Sequence, residues 1–153
     1  MKPILNIEEV TRLEDIIERE GTSKAELMEH AGELLASVVE AEHPSRVLVL
    51  TGFGNNGGDG IAIARLLHLS GIHTEIFLAG NPDKMTEETR RQWEIAASYQ
   101  VPVTNNPVWS EYTVIADGIF GVGLSREIAG KYREIIDCMN QAEACKVAVD
   151  IPS

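Results

Sequence analysis

The sequence predicts an α/β protein with a Rossmann-like parallel sheet and helices on both faces. Three observations predict it. Apolar runs of strand length alternate with amphipathic stretches of helical period. The run at residues 46–51 is nearly continuous in apolar residues, as in a parallel strand buried on both faces. Glycine, asparagine and aspartate gather where the runs end, at the edge where open parallel sheets take their ligands. The 153 residues fit about one domain at roughly 150 residues each. That length can bury one core without disulfide or metal staples.

Residues 7–20 are acid-rich, with Ile7, Val10, Leu13, Ile16 and Ile17 at helical spacing, and Gly21 closes the stretch. Ser23 reads as an N-cap with Glu26 three residues on, a capping box. The helix it opens carries Leu27, Met28, Ala31, Leu34, Leu35, Val38 and Val39 and stops before Pro44. Residues 46–51 form the first strand. A Gly/Asn loop is expected over 52–60, then a helix over 61–69 closed by Ser70 and Gly71. Residues 74–79 are the second strand, 80–83 a loop and 86–99 an amphipathic helix with Trp93, Ile95 and Ala96. Residues 101–110, with two Pro and two Asn, read as irregular. The third strand, 113–116, ends in Asp117 and Gly118; a helix is expected over 127–141, and the fourth strand over 146–150.

The organisation is therefore a helical segment, 1–45, followed by a β-α-β-α-β-α-β core, 46–153, with right-handed crossovers. No internal repeat or low-complexity segment interrupts it. The chain stops at Ser153, directly after a buried-looking strand. Domains more often end in a helix or an exposed tail, so a longer domain, C-terminally incomplete here, is expected.

Composition narrows the function classes. Apolar residues make up 44% and charged residues 24%, as in ordinary globular proteins rather than disordered ones. No apolar run approaches the roughly 18 residues of a membrane span, so no membrane association is expected. The first ten residues, with one Lys and a short apolar stretch before acids, do not read as a secretory signal. Two cysteines are too few for a disulfide scaffold, which points to the cytoplasm. The formal charge of −11 and the absence of a basic cluster disfavour nucleic acid. The best basic pair, Arg90-Arg91, lies beside Glu87 and Glu88. A small anionic ligand is still compatible, because backbone N–H groups hold phosphate without basic side chains.

The motifs lie at the carboxyl ends of the strands. Gly52-x-Gly54-x-x-Gly57 matches the dinucleotide fingerprint in its strand-to-helix context. Its companion, an acid for the ribose at the end of the second strand, is missing; that strand's acid, Glu75, lies near its start. No Lys-Ser/Thr follows the glycines, so the P-loop pattern is absent too. The segment Asn55, Asn56, Gly57, Gly58, Asp59 is more unusual. A carboxylate is out of place in a simple phosphate cradle. Amide oxygens with a carboxylate suit hydroxyls or a hard cation, with Asp117 joining from the third strand. An all-oxygen set of low charge favours a weakly bound monovalent ion over zinc. Ordinary turn chemistry would also use glycine and Asn/Asp, but so many of them at one strand-to-helix switch favour a site.

Asp117 and Asp150 each either cap the next element or act from the strand ends. Asp150 is the better candidate for a general acid/base. The stretch from Gly121 to Arg126 offers backbone N–H groups and one cation, a phosphate clamp or else a solvated loop. His30, His43, His68 and His73 lack metal-ligand spacing and read as structural or exposed. Cys138 and Cys145 read as buried, inert thiols.

Together these residues resemble the YjeF N-terminal domain family, the NAD(P)H-hydrate epimerases. The resemblance is carried by the run from Gly52 to Gly60 with Ala64-Arg65, by Asp117 to Gly123, by Val149 to Ser153 and by the opening segment Gly21 to Gly32. It implies interconversion of the R and S forms of hydrated NADH and NADPH (NADHX and NADPHX). It implies a partner dehydratase, separate or fused, and a homodimer. By that resemblance, Asn55, Asn56, Gly57, Gly58 and Asp59 contact the hydrated cofactor. Gly121, Val122, Gly123, Leu124, Ser125, Arg126 and Glu127 hold its phosphate side. Asn56, Asp117 and Ser153 coordinate potassium (K+), and Asp150 sits at the reacting carbon. Two other classes fit less well: a non-catalytic YjeF-like ligand-binding or dimerisation module, and a dehydrogenase's Rossmann cofactor domain.

Overall fold

Five of the six residues of β1 (Arg46–Thr51) are buried, as expected of an inner strand of a sheet covered on both faces. The computed structural model describes residues 24–80, 82–119 and 131–149. The helix expected over 7–20 and the cap at Ser23 lie outside the described residues. The chain continues from α1 (Lys24–Glu40) through β1 to α2 (Asn55–Leu69) and β2 (His73–Leu78). A 3-10 turn (Pro82–Lys84) leads to α3 (Glu87–Ser98), and a second (Trp109–Glu111) to β3 (Val114–Gly118). Then come α4 (Lys131–Gln141) and β4 (Cys145–Ala148). The strands lie in the order β2-β1-β3-β4, and every neighbouring pair is parallel.

Alternation along the strands sorts side chains between two cores. Val47, Val49, Val114 and Ala116 point to one face, where they meet Val39 of α1, Ile61 and Leu67 of α2 and Ala96 of α3. Leu48, Leu50 and Ile115 point to the other, against Ile136 and Met139 of α4. The expected helices on both faces are therefore present, with α1, α2 and α3 on one side and α4 on the other.

Apart from the start of the helix expected over 127–141, whose residues 127–130 lie outside the described residues, the strands and helices fall within a residue or two of their expected bounds, with two differences. First, α2 begins at Asn55 rather than at residue 61. Glycines have poor intrinsic helix propensity, but here packing overrides it. Gly60 lies against β1, where a Cβ would stand 3.1 Å from the Thr51 Cγ2. Second, the segment read as irregular supplies one rung of sheet. The Ile76 N–H donates to the Pro102 carbonyl at 2.9 Å, and the Thr104 N–H to the Ile76 carbonyl at 2.8 Å. This parallel bridge between Ile76 and Val103 occupies ladder groups on the outer edge of β2.

Helix α1 is joined to α2 by a close approach and an ion pair. A Cβ on Gly32 would stand 3.0 Å from the Ala62 Cβ. Arg65, 7% exposed, pairs with Glu29.

The amino edge of the sheet carries a separate polar network. The Arg46 guanidinium donates to Glu75 at 2.6 Å, pairs with Glu111 and lies 5.3 Å from the centre of the Tyr112 ring. The Tyr112 hydroxyl donates to Glu75. Burial pushes Glu75 up, but the hydrogen bonds from Tyr112 and Arg46 outweigh it and hold its carboxyl below the usual range. Burial, then the bond to Glu75, pushes the Tyr112 hydroxyl up.

The expectation of two buried thiols needs correction. Cys138 is half-buried, and Cys145, at the start of the short strand β4, is exposed; both are free. Desolvation and then the Glu42 carboxylate push the Cys145 thiol up, so it is less reactive than an ordinary thiol at neutral pH. No described helix is long and apolar enough to cross a membrane.

Candidate functional site

The carboxyl edge of the sheet is where the predicted residues converge. Thr51 of β1 is in register with Gly118 of β3 and with Leu78 of β2. The ladder continues one step past the strands: the Gly52 N–H donates to the Gly118 carbonyl at 3.2 Å, and the Ala79 N–H to the Thr51 carbonyl at 2.7 Å. This close pairing needs glycine at 52, because a Cβ there would lie 2.4 Å from the Ile119 carbonyl oxygen.

Beyond Gly52 the chain turns at once into α2. Gly54 is its N-cap, with extended backbone and no side-chain cap, so first-turn amides of α2 lack a side-chain partner at the cap. Asn55, Asn56, Gly57, Gly58 and Asp59 all lie in the first turns of this helix. They are helical rather than looped, and a helix N-terminus directed at the strand edge favours an anionic group.

Asp117, the last residue but one of β3, lies on the opposite face of the sheet from Thr51, the face of Ile115 and Ile119. It is fully buried, and its carboxylate accepts the Ile119 N–H at 3.3 Å. The expected site residues Gly121, Val122, Gly123, Leu124, Ser125, Arg126, Glu127, Asp150 and Ser153 lie outside the described residues. The structure thus brings the α2 segment and Asp117 to one edge of two adjacent strands.

Other residues at this edge escaped sequence reading. Thr86 caps α3 by accepting the Thr89 N–H at 3.2 Å, and the Thr89 hydroxyl donates to the Gly54 carbonyl at 2.8 Å. A threonine before two glutamates is a recognisable cap; the link from Thr89 to a residue 35 positions earlier is not. Four buried side-chain atoms among the described residues have no hydrogen-bond partner, the Thr51 hydroxyl and the Gln92 Oε1 among them. Gly80, with φ of 129°, brings the turn after β2 against Phe53, where a Cβ would stand 2.8 Å from the Phe53 ring.

The histidines stay apart from this edge. His68 contacts the Tyr99 carbonyl at 3.2 Å, and His73 lies 3.5 Å from Glu75. Among the described residues, no group of three or more His, Cys, Asp or Glu is arranged so that it could hold a metal ion. Glu75, the acid of the second strand, is held at the amino edge by Arg46 and Tyr112, and so does not serve a ribose at the carboxyl edge.

Residues 24–153 match the family model described as YjeF-related protein N-terminus. The chain belongs to this family. Its relatives include NAD(P)H-hydrate epimerase of Limosilactobacillus reuteri, 47% identical over 108 residues, which are 70% of this chain and 51% of that protein. The protein of the same name from Lentilactobacillus buchneri is 39% identical over 158 residues, covering 100% of this chain and 74% of its own length. The chain spans about half the length of the first of these relatives. The crystal structure of yeast ynu0, YNL200c, has a TM-score of 0.77 at 26% identity, covering 100% of this chain and 71% of that one. The parallel sheet and its flanking helices are those of the YjeF N-terminal fold.

Proposed function

We propose that the glycine edge is the nucleotide site of an epimerase that interconverts the R and S forms of NADHX and NADPHX. One observation carries this reading. In a chain of the YjeF family, the segment Asn55 to Asp59 opens α2 at the same carboxyl edge of the sheet that carries the buried Asp117, and the similar proteins bear the name NAD(P)H-hydrate epimerase.

In this reading the first turns of α2 take the hydrated cofactor. The stretch Gly121 to Glu127, with Arg126 as its cation, takes the phosphate side. This matters for a protein of charge −11, because backbone amides and one arginine then supply the local attraction for an anionic substrate. The oxygens of Asn56, Asp117 and Ser153 suit potassium, since one carboxylate among neutral donors matches a weakly held monovalent ion. The ion would supply positive charge beside the substrate.

Asp150 serves as general acid and base. It gives a proton to the C6 hydroxyl as the ring nitrogen's electron pair expels it as water. A water then adds to the opposite face of the ring and returns a proton to Asp150. Atoms and charge balance, and the two epimers exchange. A dehydratase, separate or fused, acts on the S form; the epimerase works as a homodimer in the cytoplasm.

The test is a coupled assay. The R form of NADPHX is supplied with excess dehydratase, ATP and potassium, and the return of NADPH is followed against the spontaneous rate. Acceleration is expected, with Asp150→Asn reducing it to background while ligand binding persists. Acceleration that survives Asp150→Asn removes Asp150 from the role, and no acceleration by the wild-type chain removes the function.

A further inference from the structure

We propose that Thr89 is a positioning residue that fixes the glycine loop in its binding geometry, although it lies on α3, away from the loop in sequence. The proposal rests on the reading of the loop as the substrate site.

Between Gly52 and Gly60 there are five glycines, each with more backbone freedom to lose on folding than any other residue. Gly54 has no side chain with which to cap α2, and its own helical bond, from the Gly58 N–H, is long at 3.3 Å. The loop's order must come from outside, and two consecutive carbonyls show where. The Phe53 carbonyl accepts the Thr86 N–H at 3.1 Å, and the Gly54 carbonyl accepts the Thr89 hydroxyl at 2.8 Å.

The two threonines also hold each other. The Thr86 hydroxyl donates to the Thr89 Oγ1 at 2.9 Å while accepting the Thr89 N–H. The chain of donors therefore runs from the Thr86 hydroxyl to the Thr89 hydroxyl to the Gly54 carbonyl, and successive bonds in such a chain polarise one another. Thr89 is fully buried, so water does not replace its bond to Gly54 without local opening. The first turn of α3 is thus both its own cap and the clamp on the residue from which α2, and the segment Asn55 to Asp59, departs.

The test compares Thr89→Val, which keeps the shape and removes the hydroxyl, with Thr89→Ser, which restores it. Thr86→Ala is the second variant, removing the upstream donor. Hydrogen exchange is read at the Gly58 amide and across 52–60, against the amides of β1 and β3 as internal standard. Thr89→Val is expected to speed loop exchange about tenfold, as for loss of one buried bond, while the strand amides keep their protection. In the epimerase assay kcat/KM is expected to fall about tenfold, with Thr89→Ser returning to within about twofold of wild type.

Unchanged loop exchange in Thr89→Val overturns the proposal. So does faster exchange with unchanged kcat/KM in an active protein, since the loop then needs no such positioning. A wild-type chain without activity overturns the epimerase reading instead, and the exchange data together with NADP+ titration of wild type and Thr89→Val then decide whether the tether shapes a nucleotide site.

Discussion

A Cβ on Gly57 would stand 2.1 Å from the carbonyl oxygen of Gly52. No side chain fits there, and the obstacle is backbone. The first turn of α2 is folded back directly onto the end of β1, which is how the amides of the helix start come to face the sheet edge. Gly57→Ala should displace the helix start and destabilise the protein by about 3 kcal/mol, the upper range for overpacking. Gly54 makes the control: a Cβ there meets nothing within 4 Å, and its φ of −80° suits any residue. Gly54→Ala should leave stability unchanged or raise it by about 0.5 kcal/mol through the unfolded chain. Urea unfolding of both variants checks the pair; equal midpoints would show that the helix start is not confined by Gly52.

That glycine explains why the fold was more legible than the site. β1 was readable because burial on both faces demands continuous apolar residues, and residues 46–51 match it in full. The turn at Gly71, with φ of 87°, was readable because left-handed backbone favours glycine. The start of α2 was not. Residues 55–60 carry three glycines and two asparagines, a local signal for loop, and it is the tertiary contacts of Gly57 with Gly52 and of Gly60 with Thr51 that make glycine the right residue in that helix. The strand ends still named Asp117 and the Asn55 to Asp59 segment, because topology alone places strand ends at one edge. The hydroxyl of Thr89 was invisible for the opposite reason: its partner, Gly54, is 35 positions away.

Arg65 and Glu29 join α2 to α1 across a half-buried boundary. Arg65 has 9% of its side chain exposed and Glu29 34%, so removing one partner leaves a charge in unequal surroundings. Glu29→Gln strands the more buried cation and should lower stability by about 2 kcal/mol, below the 3–5 kcal/mol seen for fully buried pairs. Replacing both, as in Arg65→Met with Glu29→Gln, should recover part of that loss. A double-mutant cycle by urea denaturation should give a coupling of about 1 kcal/mol. Additive single effects would mean that the ion pair adds nothing to the apolar packing that holds the helices together.

Glu75 makes the amino edge sensitive to acid. Its carboxyl is held below the usual range by the bonds from Tyr112 and Arg46 that overcome its burial. A folded-state pKa below the unfolded one means stability that is present above the ordinary carboxylate value and is lost as pH falls through the folded value. Glu75→Gln should therefore cost about 1 kcal/mol at neutral pH, as for one charge-assisted bond, and the gap to wild type should narrow as the pH is lowered. Tyr112 has the opposite sign: its raised folded pKa keeps it protonated beyond its ordinary value, with that stability lost at higher pH. Urea midpoints across an acidic series, with phenolate absorbance followed on the alkaline side, test both. A constant gap between wild type and Glu75→Gln would place the network's contribution elsewhere.

Asp117 is a fully buried carboxylate at the strand edge, and its bond from the Ile119 N–H can be kept by an asparagine oxygen. Asp117→Asn therefore separates charge from shape. If Asp117 is a potassium ligand, its negative charge is what draws a weakly held cation to an otherwise neutral set of oxygens. A ligand that binds only the folded state raises stability according to its concentration over its dissociation constant. Wild-type protein should then melt at a higher temperature in about 100 mM potassium chloride than in choline chloride of equal strength, by an amount that grows with potassium concentration. Asp117→Asn should fold, because the hydrogen bond and volume are retained, but its melting temperature should be the same in both salts. A variant that keeps the potassium increment removes Asp117 from the ligand set. A wild type without any increment removes potassium from the site as it stands in this chain, and leaves Asp117 as the residue that fixes the turn after β3 through Ile119.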